Sequence, residues 1–342
     1  MKNTVIKLTS ITVLGMLLTG CGTEINLAKY KPTTMQKTKY MPSKKEMTNN
    51  ELPKVIIMDI DNNNIKVAKQ AALGKSIATN INTNLSAAKT VKLIKRVENI
   101  SYDKMLKNEV KAAELAKEMG TDVGQADYIL TGQLSNASYD HTFNEGHYYY
   151  VKTKHGTERR YQPPFISYKA CAVGNIKIFT LPNLEEADSF EFNECSSSSE
   201  NARSASDAKL RNDGLVREAG AEAADTVKYP LKNFFAKKGY IYEMKKDGDD
   251  IIVKTTLGTR FGAKEGDKVE IYTVEDFTNS LTNETKKTTV KIGTGTISNQ
   301  LNKDFSWVIV NDVKEGKKIE AGDFIKIKYK EGMFSKFKKF IN

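Results

Sequence analysis

The sequence predicts an α/β sandwich domain followed by a small all-β, barrel-like domain. Three observations carry this reading. Between residues 54 and 134 the apolar pattern changes period in the order strand, helix, strand, helix, strand. Beyond residue 239 the helical period disappears, and short alternating runs separated by Gly-Asp turns replace it. At 342 residues the chain exceeds the usual ~100–200 residues of one domain.

Residues 1–20 read as a lipoprotein signal peptide. Lys2 and Lys7 give a positive start with no acid, and Ile11 to Leu18 is a short apolar core. That core is too short for the ~20 residues of a membrane-spanning helix. It ends in Leu18-Thr19-Gly20-Cys21, which resembles a bacterial lipobox. In such signals cleavage leaves the cysteine as the new N-terminus, thioether-linked to diacylglycerol, so Cys21 is the expected lipidation site. An ordinary signal peptide or membrane anchor is the alternative. Gly22, standing where an Asp would retain an enterobacterial lipoprotein, implies the outer membrane with the body facing the periplasm. Residues 21–53 are rich in lysine and poor in apolar periodicity. They are expected to form a lipidated flexible tether spanning on the order of 30 Å.

The α/β domain is expected over 54–238. Lys54 to Ile60 is nearly continuously apolar, the pattern of a strand covered on both faces. Leu73, Ile77, Ile81 and Leu85, with Ala71 and Ala78 beside them, line one helical face. Lys89 to Val97 alternates, placing Val91, Leu93 and Val97 on one side of a second strand. A second helix runs from Ser101, a suitable N-cap, to Met119 just before Gly120. Ala126 to Leu134 is the third strand. A hairpin follows, from 167–179 to 187–195, and then a helix over 207–237. Leu215, Ala219, Ala223 and Val227 share a face of that helix, which Pro230 kinks or interrupts.

Apart from Cys21 the cysteines are Cys171 and Cys195, in a chain bound for an oxidising compartment. A hairpin centred near Asn183 sets Cys171 opposite Cys195 and, on the other face, Ile176 opposite Phe190. Opposed Cα atoms stand about 4.5–5.5 Å apart, which suits a disulfide. We favour a structural disulfide over two separate buried thiols; with no CxxC spacing it has no redox role.

The β domain is expected over 239–330. Tyr240–Met244 and Ile251–Lys254 flank Asp247-Gly248-Asp249-Asp250, a hairpin signature. Residues 263–272, containing Gly266-Asp267, are echoed by 319–329, containing Gly322-Asp323. Residues 331–342 form a basic amphipathic tail in which Phe334, Phe337 and Phe340 or Ile341 would share a helical face. An interfacial helix and docking on the barrel are equally open readings of it.

The pieces Val55–Ile60, Leu73-Gly74, Lys92-Leu93-Ile94-Lys95-Arg96 and Ala126–Gly132 together resemble the family of the curli-secretion lipoprotein CsgG. The resemblance extends to about residue 235. A similar α/β unit occurs in periplasmic lipoproteins that activate peptidoglycan synthases. Residues 239–330 resemble the C-terminal domain of the flagellar T-ring protein FlgT, a module absent from CsgG itself. These resemblances imply an outer-membrane-anchored, homo-oligomeric component of an envelope secretion or assembly complex. The alternative is a monomeric lipoprotein that activates or scaffolds cell-wall synthesis or the flagellar basal body. In CsgG-like proteins the segment after the lipid can pack on a neighbouring subunit, and regions matching 136–168 and 186–206 can extend as membrane hairpins. Here Tyr139, His141, Phe143, Glu145, His147 and Tyr149 share a face too polar for lipid. Soluble loops or a partner-binding insertion are therefore expected.

Lys and Arg number 53 against 42 Asp and Glu, a formal net charge of +11. The lysines are scattered and no nucleic-acid-binding module is visible, so no nucleic-acid partner is expected. Gly74-Lys75-Ser76 resembles the end of a P-loop but lies inside the predicted helix, with Lys69 where the first glycine belongs. His141, His147 and His155 lack the compact spacing of a metal site. Asp59 and Asp61 read as a turn cap, and Asp247, Asp249 and Asp250 do not follow calcium-loop spacing. No cofactor, metal or catalytic constellation is expected, so the protein reads as non-enzymatic.

Overall fold

The computed structural model describes residues 23–48, 51–94 and 126–330, with scattered positions between 107 and 118. Cys21, most of the predicted 101–119 helix and the 331–342 tail lie outside the described residues. The strands are β1 (Lys31–Thr33), β2 (Lys54–Ile57), β3 (Lys92–Leu93), β4 (Tyr128–Asn144), β5 (His147–Thr153), β6 (Gly156–Gln162), β7 (Phe165–Thr180) and β8 (Glu186–Asn201). After them come β9 (Gly239–Asp247), β10 (Asp250–Thr255), β11 (Lys268–Thr278), β12 (Thr285–Leu301), β13 (Ser306–Val313) and β14 (Phe324–Ile327). The helices are α1 (Lys44–Thr48), α2 (Lys66–Gln70), α3 (Leu73–Ala88) and α4 (Asp213–Phe234). Strand predominates over helix, more than an α/β sandwich alone implies, because the hairpin strands run far past their predicted ends.

The first sheet has the order β3-β2-β4-β7-β8. Its first three strands are parallel, with Val55 beside both Leu93 and Tyr128. β4, β7 and β8 are antiparallel. Leu73, Ile77, Ile81 and Leu85 of α3 are all buried, as their four-residue spacing predicts. They pack with Leu215, Ala219, Ala223 and Val227 of α4 against Leu130, Leu134, Ile176 and Ile178 of the sheet. Asn212 caps α4, its side-chain oxygen accepting from the Leu215 N–H at 3.0 Å. The helix runs through Pro230 to Phe234. Gly74 is where α3 meets the end of β2: a Cβ there would stand 1.8 Å from the Ile60 carbonyl oxygen. The glycine of the P-loop-like triplet therefore serves backbone packing inside a helix.

The second sheet closes on itself. Its order is β9-β10-β13-β12-β11-β14, and β14 pairs back onto β9. Ile241, Val253, Val269, Ile271, Ile292, Val308 and Ile325 fill it. The sequence echo proves structural. In each copy a glycine at positive φ (Gly266 at 84°, Gly322 at 102°) precedes an aspartate that accepts a backbone N–H three residues back. Lys264 donates to Asp267 at 2.9 Å and Glu320 to Asp323 at 2.7 Å. The strands these turns deliver, β11 and β14, pair with each other, Val269 facing Ile327 and Ile271 facing Ile325.

The described part of the expected tether is not free. β1 adds to the edge of β9, with Thr33 opposite Met244. Thr38 N donates to the Ala321 carbonyl at 2.9 Å, and Ala321 N to that of Gln36 at 2.8 Å. Ile25 is buried against Ile252 and Trp307 on the outside of the barrel. The reason is edge pairing: β14 covers only the start of β9, and β1 satisfies the backbone of its far half. Asn233 joins the two sheets' regions, accepting from Tyr329 N at 2.8 Å and donating to its carbonyl at 3.0 Å.

Candidate functional site

The region 136–168, expected as soluble loops or a partner-binding insertion, is an extended β-hairpin. β4 is 17 residues long, about 57 Å at ~3.4 Å per residue. Its pairing with β7 continues in unchanged register into β5 and β6: Asn144 faces Phe165, then His147 faces Gln162. Beyond the bulge between Leu134 and Asn136, the ladder is interrupted at Glu145-Gly146 opposite Pro163-Pro164, because proline has no N–H to donate. The result is one ribbon running from the core of the sheet to the tip at Lys154-His155.

The base of the ribbon is pinned twice. Cys171 and Cys195 are bonded, and Ile176 faces Phe190, so the register centred on Asn183 holds. The disulfide lies on the sheet face away from α3 and α4, since the alternate residues Ala170, Ala172 and Ile176 are fully buried under those helices. On the helix side Tyr139 stacks on Tyr168 with ring centres 6.0 Å apart. The Tyr139 hydroxyl donates to the Lys209 carbonyl at 3.0 Å, and Lys209 N donates to the Tyr168 hydroxyl at 3.2 Å. Burial pushes the Tyr139 hydroxyl up. Hydrogen bonds from Lys209 and Tyr168 hold the Glu200 carboxyl below its usual range. The face predicted from Tyr139, His141 and Phe143 thus covers the protein's own 202–209 segment.

The tip is different. Cross-strand partners share a face, so Tyr148, Tyr150, Lys152, Arg159 and Tyr161 stand together on one side of β5–β6. Tyr148 and Tyr161 have ring centres 4.9 Å apart, and the Arg159 guanidinium lies 3.7 Å from the Tyr148 centroid. Tyr150 is 69% exposed and Tyr148 58%. Exposed tyrosines stiffened by a stacked arginine are the side chains that dominate protein interfaces.

β8 supplies a second surface. Among the described residues it pairs with β7 alone, leaving a 16-residue edge unpaired. That edge runs on past the predicted end of the hairpin at Cys195, through the serine run to Asn201. Glu186, Asp188, Glu191 and Glu194 make it acidic, which discourages indiscriminate strand addition.

The three histidines fall at separate points: His141 in β4, His147 at the start of β5 and His155 in the tip turn. Among the described residues no group of three or more His, Cys, Asp or Glu is placed to hold a metal. A shallow hollow of about 760 Å³ lies where the ribbon leaves the sheet, lined by His147, Tyr149, Gln162, Phe165 and Glu200. Among the described residues no helix is long and apolar enough to cross a membrane. Sequence reasoning missed the ribbon and the strap that residues 23–38 form along the barrel; the first carried a signal in the alternation of Tyr148, Tyr150 and Lys152.

No known protein family matches the chain, and no curated protein matches it. Among solved structures, the chain is similar to a PelC dodecamer from Paraburkholderia phytofirmans. The identity is 14%, with 58% of this chain and 95% of that one covered and a TM-score of 0.26. It is also similar to the hypothetical protein CT253 from Chlamydia trachomatis, at 10% identity, covering 54% of this chain and 98% of that one, with a TM-score of 0.28.

Proposed function

We propose that this protein is a lipid-anchored, non-enzymatic component of an envelope secretion or assembly complex, held in the outer membrane with its body in the periplasm. The lipobox ending in Cys21 supports the anchor, and the CsgG-like pieces of the first domain support the assembly role. The observation that carries the reading is the disulfide-pinned ribbon with its solvent-facing Tyr148, Tyr150, Tyr161 and Arg159. A rigid arm of this kind holds an aromatic patch away from the core with little ordering entropy left to lose on binding. Subunit contacts run along the open β8 edge, where a second chain satisfies unpaired backbone groups and builds a homo-oligomer. Mechanism here is binding: anchoring, self-association along β8 and recruitment at the ribbon tip.

A photo-cross-linking side chain at Ser198 should join copies of this chain into multimers, while one at Tyr150 should join it to a different envelope protein. A Ser198 probe that never cross-links to a second copy rules out the edge contact. Replacement of Cys21 by Ser should let a high-salt wash release the protein from membranes without detergent, and retention of a cleaved form through that wash contradicts the anchor.

A further inference from the structure

The barrel is apolar inside, but its own strands do not seal the end at the β9–β10 turn. Directly opposed residues share a face of the sheet. Val253 stands opposite Met244, and Ile251 opposite Lys246. The inner face that holds the buried Val253 and Met244 therefore ends at the rim with Ile251 and a lysine. β13 runs past the start of β10 to Val313, and the connection to β14 returns over the same end. Ile319 of that connection is buried and belongs to the barrel core.

The strap crosses this opening. Thr33 is paired opposite Met244 on β9, whereas Thr38 N donates to the Ala321 carbonyl at 2.9 Å and Ala321 N to that of Gln36 at 2.8 Å. Thr34 and Met35 bridge the two attachments, and Met35 packs against the barrel core. Beneath the crossing lies a cavity of about 460 Å³, walled by Met35, Met244, Ile251 and Ile319. That volume is within the ~300–1,000 Å³ of small-molecule sites, and barrel mouths are a preferred place for them. Two of the walls are methionines, unbranched side chains that adapt to the shape of an apolar guest.

The charged groups of the cavity stand apart from these walls. Lys317 is engaged, its Nζ donating to Glu275 Oε1 at 2.5 Å. Lys246 and Lys318 also line the cavity, are exposed at its rim and have no ion pair among the described residues. The one acid in the lining is Glu320, so the two unpaired ammonium groups leave the mouth positive. An apolar recess behind a positive rim matches a molecule with an apolar chain and a negative end.

We propose that the barrel mouth under the strap binds a single-chain anionic amphiphile. Its acyl chain lies among Met35, Met244, Ile251 and Ile319, and its headgroup meets Lys246 and Lys318. Burial of the chain against Met35 ties the strap to the barrel, so ligand and strap stabilise each other.

The test is calorimetric titration of residues 22–342, free of lipid and detergent so that neither fills the mouth. Dodecanoate, kept below its micelle concentration, should bind at a single site. Dodecyltrimethylammonium, with the same tail and the opposite charge, should bind at least ~10-fold more weakly. A lysophosphatidylglycerol with the same acyl chain separates the sources of the anion: tighter binding of it assigns the site to a lipid headgroup, and tighter binding of dodecanoate to a free acid. Met35→Glu places a like charge over the half-exposed crossing and should weaken dodecanoate at least ~10-fold. Lys246→Glu combined with Lys318→Glu should reverse the preference in favour of dodecyltrimethylammonium, a gain that a damaged fold cannot produce. Failure of both anionic amphiphiles to bind overturns the proposal and leaves the mouth to an apolar side chain of another protein. Binding indifferent to the charge of the headgroup, or unchanged in the double lysine variant, overturns it as well.

Discussion

The two sheets of this molecule treat their edges in opposite ways. The barrel closes around β9: β14 pairs with its start and β1 covers the rest from outside, so that among the described residues its closing strands keep open edges on the β11–β12 arm, beyond Tyr272 and before Gly293. The α/β sheet leaves the outer edge of β8 unpaired among the described residues and sends β5 and β6 out beyond its core. A sheet closed over most of its length has little backbone left to offer a partner, so it suits a mount; an open, extended one suits assembly. Under the proposed function the difference divides the work: the barrel would hold the strap that follows the lipidated Cys21, and the α/β sheet would meet other proteins.

Damage to each core in turn puts this contrast under the greatest strain. Ile271→Ala in the barrel and Ile176→Ala in the sheet should each cost about 2–5 kcal/mol. Followed by denaturant unfolding, each should lower one transition more than the other; a single shared transition moved equally by both contradicts a division of labour. Replacing Cys171 and Cys195 together by Ser releases a cross-link with a sequence separation of 24. It should cost the sheet about 2–4 kcal/mol and leave the barrel unmoved. Ile25→Ala removes the buried contact of the strap and should cost about 1–3 kcal/mol. Its signature is faster amide exchange in the far half of β9 with the rest of the barrel protected.

The smallest effect is a pH dependence in the barrel. Burial pushes the Asp323 carboxyl up to about 6 from 3.8, with Glu320 and Glu275 adding to it. The folded chain then holds a proton that the unfolded chain releases, so stability falls as pH rises through that interval and the cost is complete above it. Asp323→Asn keeps an acceptor for the Glu320 N–H and removes the charge. It should stabilise the barrel by about 1–2 kcal/mol at pH 7.5 and by nothing below pH 4, read as the change in thermal midpoint. Equal gains at both pH values would assign the effect to packing.

Much of the first domain was legible because local periods report burial. The four-residue spacing from Leu73 to Leu85 and the pairing of Cys171 with Cys195 needed only helix and hairpin geometry. The strap was not legible, since β1 has no apolar alternation of its own and docks because β9 has unpaired backbone, a property of the folded barrel. The ribbon was half legible: Tyr148 to Lys152 alternates, but Pro163-Pro164 reads as a loop until the register on both sides is seen to agree. The serine run hid the end of β8 for a similar reason, as an exposed edge needs no apolar signal.

The proposed assembly of this chain through its open sheet is tested most directly by light scattering with particle imaging of the detergent-solubilised, lipidated protein. A closed ring or other multimer of defined mass, with the α/β sheets in contact and the barrels on one side, is the predicted result. A monodisperse monomer contradicts it and favours a lipoprotein that acts singly on its partner.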